Sequence, residues 1–302
     1  MPKIIFFGTP DFSLPALSQL IELGLVKAVV TRADKLAGRG QKLADSPVAK
    51  LAVQHDLPLL KPAKLDAGFS DELKKYLPST FVIVAYGKII PQAVLDLSEQ
   101  PALNIHPSLL PALRGPSPIQ SALLQGLTET GVSLMQLDKE MDHGPLLAQV
   151  KLTVSDNDNS ESLSSKLATL GADLLSRHIN DYLAGKLAAQ PQADNQATYC
   201  KLLTKADGLI DWRRPAKEIH NQIRALNPWP STFFTLAGQT FKLLEAEISG
   251  EKLAAGRWQI QADELLIGTM TTALSVKKIQ PSNRRVMTAQ EFINGYRRLI
   301  KG

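Results

Sequence analysis

The sequence predicts a doubly wound α/β domain with a mostly parallel sheet, followed by a small antiparallel β-barrel. Over the first half, short apolar strands alternate with amphipathic helices, which is the pattern of parallel α/β sheets. After residue 200 the apolar runs become short and closely spaced, as in small barrels. With 302 residues, of which 44% are hydrophobic and 21% charged, the chain has the size and composition of two globular domains.

The strands and helices of the first half follow from hydrophobic spacing. Strand-like runs occur at residues 3–8, 26–31, 80–86, 132–137 and 147–154, and helical spacing occurs at residues 12–21, 47–55 and 163–182. The run at 80–86 has no polar alternation, which favours a strand buried on both faces. Gly24 and Gly185 are placed to end helices, and Ser46 followed by Pro47 is typical of a helix start.

The second half begins after a polar stretch without periodicity. We interpret residues 186–200 as a linker between a domain at 1–185 and a domain at 201–302. Residues 216–226 have helical spacing. Five short strand-like runs follow, at residues 233–236, 241–248, 257–260, 264–267 and 273–279.

Charge is unevenly distributed along the chain. Residues 201–302 carry 16 Lys and Arg against 9 Asp and Glu, whereas residues 1–200 carry 18 against 20. A basic domain suggests a polyanionic partner such as nucleic acid, although a basic module that aids solubility explains the charge equally well.

The single cysteine, Cys200, cannot form an intramolecular disulfide, and no apolar run has the length of a membrane span or a signal peptide. We therefore expect a cytoplasmic protein.

Asn104 and His106 are the first candidate catalytic residues. They are two apart on a predicted strand, so their side chains share one face. Four prolines and a glycine follow within twelve residues, which predicts a fixed loop at the ligand-binding edge of the sheet. Asparagine can donate to a developing oxyanion, and histidine can transfer a proton near neutral pH. Taken singly, each also has a structural interpretation, as a turn former or a buried histidine.

A second candidate region is the turn at residues 138–145, which contains Asp142 and His143. Its carboxylates could orient a histidine or accept a proton, but spacing alone favours a solvated hairpin tip. No His or Cys stands at the spacing of a structural zinc site, so we expect no metal. Glycine-rich phosphate-binding motifs and the Gly-x-Ser-x-Gly elbow of serine hydrolases are absent from the sequence.

Residues 31–50 form a third candidate region, a long polar loop with several basic side chains. Arg39 lies between Gly38 and Gly40, and Lys42 follows shortly after. Irregular loops of this length in compact domains are usually functional or disordered. We expect a clamp on a phosphate backbone, with a solvated loop as the alternative.

These motifs together resemble the signature of the folate-dependent formyltransferases. The core of the resemblance is residues 108–115 (Ser-Leu-Leu-Pro-Ala-Leu-Arg-Gly), preceded by Asn104 and His106. Further blocks match the members that formylate a charged tRNA, at residues 7–12, 37–40, 85–91, 141–144, 201–212 and 224–230. The resemblance therefore covers nearly the whole chain. It departs from the usual pattern at residues 268–272 and 282–285, where a glycine-rich turn and a Gly-Lys pair are expected.

The resemblance implies both a fold and a reaction. The fold is a Rossmann-like catalytic domain followed by an OB-like barrel. The reaction is transfer of a formyl group from 10-formyltetrahydrofolate to the methionine amino group of initiator tRNA, for translation initiation. We expect a monomer with charged initiator tRNA and folate as partners, and with neither metal nor membrane.

The resemblance also implies roles for particular residues. Asn104 and His106 stabilise the tetrahedral oxyanion, and Asp142 holds His106 and helps to remove the amine proton. The folate site is lined by Ser108, Leu109, Leu110 and Pro111. The tRNA is bound by Arg39, Lys42 and the basic C-terminal domain.

Two other functions remain open at this point. A folate-dependent formyltransferase acting on a small amine, such as a sugar nucleotide or glycinamide ribonucleotide, shares the same three catalytic residues. The basic loop and the basic C-terminal third argue against it. A tRNA-binding protein without activity, built on an enzyme scaffold, is the second alternative. The presence of all three catalytic residues argues against that one.

Overall fold

The computed structural model describes residues 3–37 and 42–300 and divides into two units. The first unit comprises residues up to 115 together with 129–153 and 164–199. The second comprises residues 116–128, 154–163 and those from 200 onward. The segment interpreted from composition as a linker, residues 186–200, lies in the first unit up to residue 199, and Gln190, Gln192 and Thr198 hydrogen-bond to that unit.

The first unit is built on a seven-stranded sheet. In chain order its strands and those of a separate hairpin are β1 (Ile4–Gly8), β2 (Val26–Val30), β3 (Lys35–Ala37), β4 (Lys42–Ala44), β5 (Leu59–Leu60), β6 (Thr80–Val84), β7 (Leu103–His106), β8 (Glu129–Gln136) and β9 (Leu146–Thr153). The spatial order is β5-β2-β1-β6-β7-β8-β9, and β3 pairs only with β4. The neighbouring strands in the series β5-β2-β1-β6-β7 run parallel. Strand β8 runs antiparallel to both of its neighbours, β7 and β9.

Helices pack on this sheet and in the second unit. In chain order they are α1 (Leu14–Glu22), α2 (Pro47–Gln54), α3 (Ala67–Leu73), α4 (Gln92–Leu95), α5 (Pro118–Leu124), α6 (Ser160–Leu183), α7 (Ala216–Leu226) and α8 (Ala289–Ile300). The predicted cap of α2 is confirmed, because Ser46 Oγ accepts a hydrogen bond from the Ala49 amide at 3.0 Å. None of the helices in the described ranges is long and apolar enough to cross a bilayer.

The carboxyl ends of the parallel strands form one edge of the sheet. Strands β1 and β6 are buried along their full lengths, which confirms the predicted doubly covered strand for residues 80–84, whereas Ala85 is exposed. Ser13 Oγ donates to the Val84 carbonyl at 2.6 Å, and Thr9 Oγ1 donates to the Tyr86 carbonyl at 2.9 Å. These bonds fix the loops after β1 and β6 at the edge where ligands bind in open α/β sheets.

Gly131 in β8 is a position where a side chain has no room, and it supplies a stability prediction. A Cβ there would lie 2.1 Å from the Val150 carbonyl oxygen and 2.6 Å from Leu109 Cδ2. We expect Gly131→Ala to lower the free energy of unfolding by about 1–3 kcal/mol, because the neighbours must shift. Thermal melting checks this. The control is Gly68→Ala in α3, where the nearest atom is 3.4 Å away and no loss is expected. Equal melting temperatures for Gly131→Ala and the wild type would contradict the prediction.

The second unit contains an antiparallel sheet of short strands. They are β10 (Thr232–Leu236), β11 (Gln239–Ile248), β12 (Trp258–Gln261), β13 (Glu264–Gly268), β14 (Ala273–Pro281) and β15 (Met287–Thr288). The order is β10-β11-β14-β13-β12, with β15 paired to β14. Its core contains stacked rings of Phe234 and Phe241 at 5.6 Å, and Phe292 meets Phe241 edge-on at 5.6 Å. The predicted fold class, a mostly parallel α/β unit followed by a small antiparallel β unit, is confirmed.

Several elements differ from the expectation drawn from the sequence, and helices α3, α4 and α5 and strands β5 and β15 were not predicted. The region at 31–50 was expected to be irregular, but its described part contains the β3–β4 hairpin. Helix α8 was not predicted, although its buried residues Phe292, Ile293 and Ile300 have helical spacing. This helix is difficult to predict because its apolar residues cover only one short segment that is flanked by charged residues.

Candidate active site

Strand β7 presents Asn104 and His106 on one face of the sheet. The intervening Ile105 faces α6, since a Cβ on Gly171 of that helix would lie 2.7 Å from Ile105 Cγ2. Asn104 and His106 therefore point the other way. His106 is buried, whereas Asn104 is partly exposed, and its amide has no hydrogen-bond partner within residues 3–37 and 42–300.

The hydrogen bonds of His106 define which nitrogen is free to take a proton. Its Nε2 lies 3.0 Å from the Leu113 carbonyl oxygen. A carbonyl can only accept, so Nε2 carries the hydrogen and donates it. In the neutral ring Nδ1 then keeps its lone pair, and this atom lies 3.6 Å from Asp142 Oδ1. A proton on Nδ1 would face that carboxylate.

Asp142 is held in place from its other side. Its Oδ2 accepts a hydrogen bond from the Gly115 amide at 2.7 Å, and its backbone has a φ of +53°. The Asp142 side chain is 15% exposed. The turn after β8 and the loop after β7, identified separately in the sequence, thus meet at His106.

The loop after β7 is shaped by hydrogen bonds to its backbone. Ser108 Oγ donates to the Ala112 carbonyl at 2.6 Å. Ser133 Oγ donates to the Ser108 carbonyl at 2.7 Å and accepts from the Leu110 amide at 3.0 Å. Gln149 Nε2 donates to the Leu110 carbonyl at 2.8 Å. The loop is therefore preorganised by β8 and β9.

The four residues predicted to line the folate site differ in exposure. Ser108 and Leu110 are buried, whereas Leu109 and Pro111 are half-buried. The Ser108 hydroxyl is already used within the loop. Apolar contact with a flat ring system is thus available from Leu109 and Pro111, while Ser108 and Leu110 shape the loop.

A buried arginine connects this loop to the turn that carries Asp142. Arg114 is 2% exposed, and its Nε and Nη2 donate to Gln192 Oε1 at 3.1 and 2.9 Å. Its Nη2 also donates to Asp194 Oδ1 at 2.8 Å. Gln192 Nε2 in turn donates to the carbonyls of Asp142 and Gly144 at 2.9 and 2.7 Å. Gln192 therefore holds the backbone of the Asp142 turn, and Arg114 orients Gln192.

Thr198 adds a second connection to the same loop. Its Oγ1 accepts from the Leu113 amide at 2.9 Å, and its carbonyl accepts from the Arg114 amide at 2.9 Å. The Thr198 amide donates to the Pro111 carbonyl at 3.2 Å. Sequence reasoning missed Gln192 and Thr198 because backbone-directed hydrogen bonds leave no periodicity in a polar segment.

His143 belongs to the same turn but has a different environment. Its Nδ1 lies 2.6 Å from Asp138 Oδ2, and its Nε2 lies 3.4 Å from Asp194 Oδ2. The hydrogen bond to Asp138 raises the pKa of His143 above its ordinary value. Across the residues described, no three His, Cys, Asp or Glu side chains are grouped as a metal site.

The structure describes only part of the two basic residues predicted to bind tRNA. Arg39 lies outside the described residues. Lys42 opens β4, where its backbone pairs with Ala37 of β3, and its side chain is outside the described part. Their roles stay predictions.

Comparison with known proteins identifies the family. Residues 2–179 match the formyl transferase family, and residues 202–297 match the formyl transferase C-terminal domain. The methionyl-tRNA formyltransferase of Geobacter sulfurreducens is 38% identical over 298 residues, covering 98% of this chain and 94% of that protein. The methionyl-tRNA formyltransferase of Thermodesulfovibrio yellowstonii is 40% identical over 294 residues, covering 97% and 95%. The chain belongs to the methionyl-tRNA formyltransferase family. The resemblance seen in the sequence motifs is thereby confirmed.

Solved structures of other formyltransferases share the fold of this family member. The sugar 3N-formyl transferase WlaRD, solved with dTDP and 5-N-formyl-THF, superposes with a TM-score of 0.71 at 18% identity, covering 94% of this chain and 99% of its own. An N-formyltransferase from Helicobacter canadensis, in complex with folinic acid and dTDP-3-aminofucose, also gives a TM-score of 0.71, at 17% identity and with 93% and 100% coverage. At such low identity the likeness concerns the fold alone.

Proposed function

We propose that this formyltransferase transfers the formyl group of 10-formyltetrahydrofolate to the methionine amino group of initiator tRNA, for translation initiation. The observation that supports this chemistry is the environment of His106. Its Nε2 donates a hydrogen bond to the Leu113 carbonyl, and its Nδ1 lies 3.6 Å from Asp142 Oδ1. The relatives that share 38–40% identity over nearly the whole chain support the substrate. The same proposal has the enzyme act as a monomer in the cytoplasm.

Asn104 is the proposed direct donor to the formyl oxygen. When the amine attacks the formyl carbon, the carbonyl electrons move onto that oxygen, and negative charge develops there. The Asn104 amide, which has no hydrogen-bond partner among the described residues, lies on the same strand face as His106 and has its N–H groups available. Stabilisation of developing charge by fixed donors is among the largest contributions to catalysis.

His106, assisted by Asp142, is proposed to accept the amine proton. Nδ1 of His106 accepts this proton as the new C–N bond forms. The resulting imidazolium places positive charge near the oxyanion and is balanced by Asp142. The same proton passes to the folate nitrogen as the bond between that nitrogen and the formyl carbon breaks, so that neutral tetrahydrofolate leaves and the imidazole is restored. The Gly115 amide keeps the Asp142 carboxylate in position throughout.

The loop after β7 fits a folate, which supplies the reactive formyl carbon when bound. Leu109 and Pro111 offer apolar surface, and the backbone between them is fixed by Ser133 and Gln149. A fixed loop lowers the entropic cost of ordering at the moment of binding. We propose that residues Ser108, Leu109, Leu110 and Pro111 form one wall of the folate site in this way.

Formylation assays with the purified chain test the proposed function. With 10-formyltetrahydrofolate, we expect turnover of charged initiator tRNA and none of sugar nucleotides or glycinamide ribonucleotide. Uncharged tRNA, which lacks the amine, is the control. Turnover of a small amine in preference to charged tRNA would support the alternative substrate class, and no turnover of any amine would support a binding protein without activity.

Arg39 and Lys42 are proposed to contact the tRNA, which yields a mutational prediction. Arg39→Ala should raise KM for charged tRNA strongly while leaving folate binding unchanged, because a guanidinium can fork onto a phosphate or stack on an unpaired base. Arg39→Lys should restore only part of the loss, and Lys42→Ala should have the smaller effect of a single phosphate contact. Steady-state kinetics with each substrate varied in turn measures this. Weaker folate binding with an unchanged KM for tRNA would assign the loop to the folate instead.

A further inference from the structure

The second unit has a cavity of about 610 Å³ on the face of its sheet opposite the core. Phe233, Lys242 and Gln280 line it and stand side by side on β10, β11 and β14. Their chain neighbours Phe234 and Phe241 are buried in the core. Because side chains alternate along a strand, the cavity opens on the outer face. Its volume lies in the range that takes a small ligand or one chemical group of a larger one.

Trp229 gives this cavity an exposed aromatic wall. Its side chain is 56% exposed, whereas Trp212 and Trp258 are partly buried against the core. Pro228 and Pro230 flank Trp229 and restrict its backbone, and all three residues line the cavity. A large, fixed and uncovered aromatic surface of this kind is suited to stacking on a flat ring.

The charge of the cavity favours an anionic ligand. Lys205 and Lys242 line it, and neither ammonium has an ion pair in the described parts of the chain. The nearest carboxylate along the chain, Asp207, is engaged by Lys201 and Thr204, which lower its pKa to about 2.

The rest of the lining points in the same direction. None of the described lining residues is Asp or Glu, and the remaining polar ones are Thr240, Gln280, Ser282 and Asn283. Another cavity of this unit, of about 520 Å³, is lined by five carboxylates, Asp156, Asp158, Glu161, Glu245 and Glu247, against the two cations Arg224 and Lys278. A polyanion would therefore favour the first cavity over this one.

We propose that this cavity binds an unpaired base of the tRNA substrate, stacked on Trp229, with the adjoining phosphates on Lys205 and Lys242. The proposal rests on the proposed function, since it names a site for the same substrate. Aromatic stacking accepts any base, and the lysines contact the backbone without reading sequence. The cavity thus adds affinity for tRNA without taking part in the chemistry.

Kinetics of cavity variants test the proposal. We expect Trp229→Ala to raise KM for charged initiator tRNA about 10-fold, with kcat and KM for 10-formyltetrahydrofolate unchanged. Trp229→Phe, which keeps an aromatic face, should retain most of the affinity. Lys242→Gln should weaken binding and reduce the salt dependence by about one counterion. The matched control is Ile248→Ala at the end of β11, which shortens an exposed apolar side chain outside the cavity and should have no effect.

Fluorescence supplies a readout that a purely structural role would not change. Uncharged initiator tRNA should quench tryptophan emission of the wild type, and Trp229→Phe should lose most of that quenching while still binding. Wild-type turnover of charged tRNA, together with unchanged KM in Trp229→Ala and quenching retained in Trp229→Phe, would overturn the cavity proposal alone. The absence of wild-type turnover would instead overturn the proposed function. If Trp229→Ala fails to fold, Lys242→Gln and the fluorescence comparison still decide.

Discussion

His106→Ala should lower kcat for formylation of charged initiator tRNA by about 100-fold or more. The variant lacks the group that we propose accepts the amine proton at Nδ1, and with it the positive charge that this proton would create beside Asp142. The buried hydrogen bond to Leu113 is also lost, so circular dichroism must first show that the variant is folded. Single-turnover kinetics with both substrates saturating then measures the chemical step.

Asn104→Ala should cause a loss of similar size for a different reason. It removes the amide that we propose donates to the formyl oxygen and that has no hydrogen-bond partner in the described part of the chain. The double variant Asn104→Ala/His106→Ala should be much less impaired than the product of the two single losses, because residues that act as a unit are not additive. Fully multiplicative losses would show that the two side chains act in separate steps.

The second large effect is expected at Arg114, which touches neither substrate in our proposal. Arg114→Met should lower kcat about 10- to 100-fold, because Gln192 loses its orientation and the turn that carries Asp142 shifts. Arg114→Lys should recover only part of the activity, since an ammonium lacks the planar fork. KM for 10-formyltetrahydrofolate should change less than kcat, which marks a positioning role.

Two further variants separate positioning from stability in the Arg114 network. Gln192→Met should reproduce the loss of kcat with a smaller change in melting temperature, because it leaves the arginine paired with Asp194. Asp194→Asn is the control, since this side chain is 63% exposed and keeps an acceptor oxygen. A lower melting temperature with unchanged kcat in Arg114→Met would show that the Arg114 network stabilises the fold and does not position Asp142 for catalysis.

Much of the fold could be predicted because its strands and helices bury regular patterns. The run at 80–86 has no alternation of polar and apolar residues, and its first five residues form the central strand β6. Ser46 caps α2 as its chemistry predicts. The pairing of Asn104 and His106 on one face likewise follows from the two-residue repeat of a strand. These features depend on local spacing, which a sequence displays directly.

The rest of the candidate site depends on contacts that spacing does not reveal. The Gly115 amide reaches Asp142 across 27 positions of the chain, and Gln192 reaches the same turn from a segment without periodicity. A polar side chain that bonds to backbone groups can occupy many sequence contexts, so composition suggested only a linker there. The assignments of Arg39 and Lys42 to tRNA stay predictions.

Asp142→Asn is the single variant that tests the central claim most directly. Asparagine keeps the shape and an oxygen that can accept from the Gly115 amide, so the fold should be preserved, but it removes the charge opposite His106 Nδ1. The measurement is the single-turnover rate of formylation of charged initiator tRNA. We predict a loss of about 100-fold or more with little change in the affinity for either substrate. A folded Asp142→Asn variant with a rate close to that of the wild type would contradict the account.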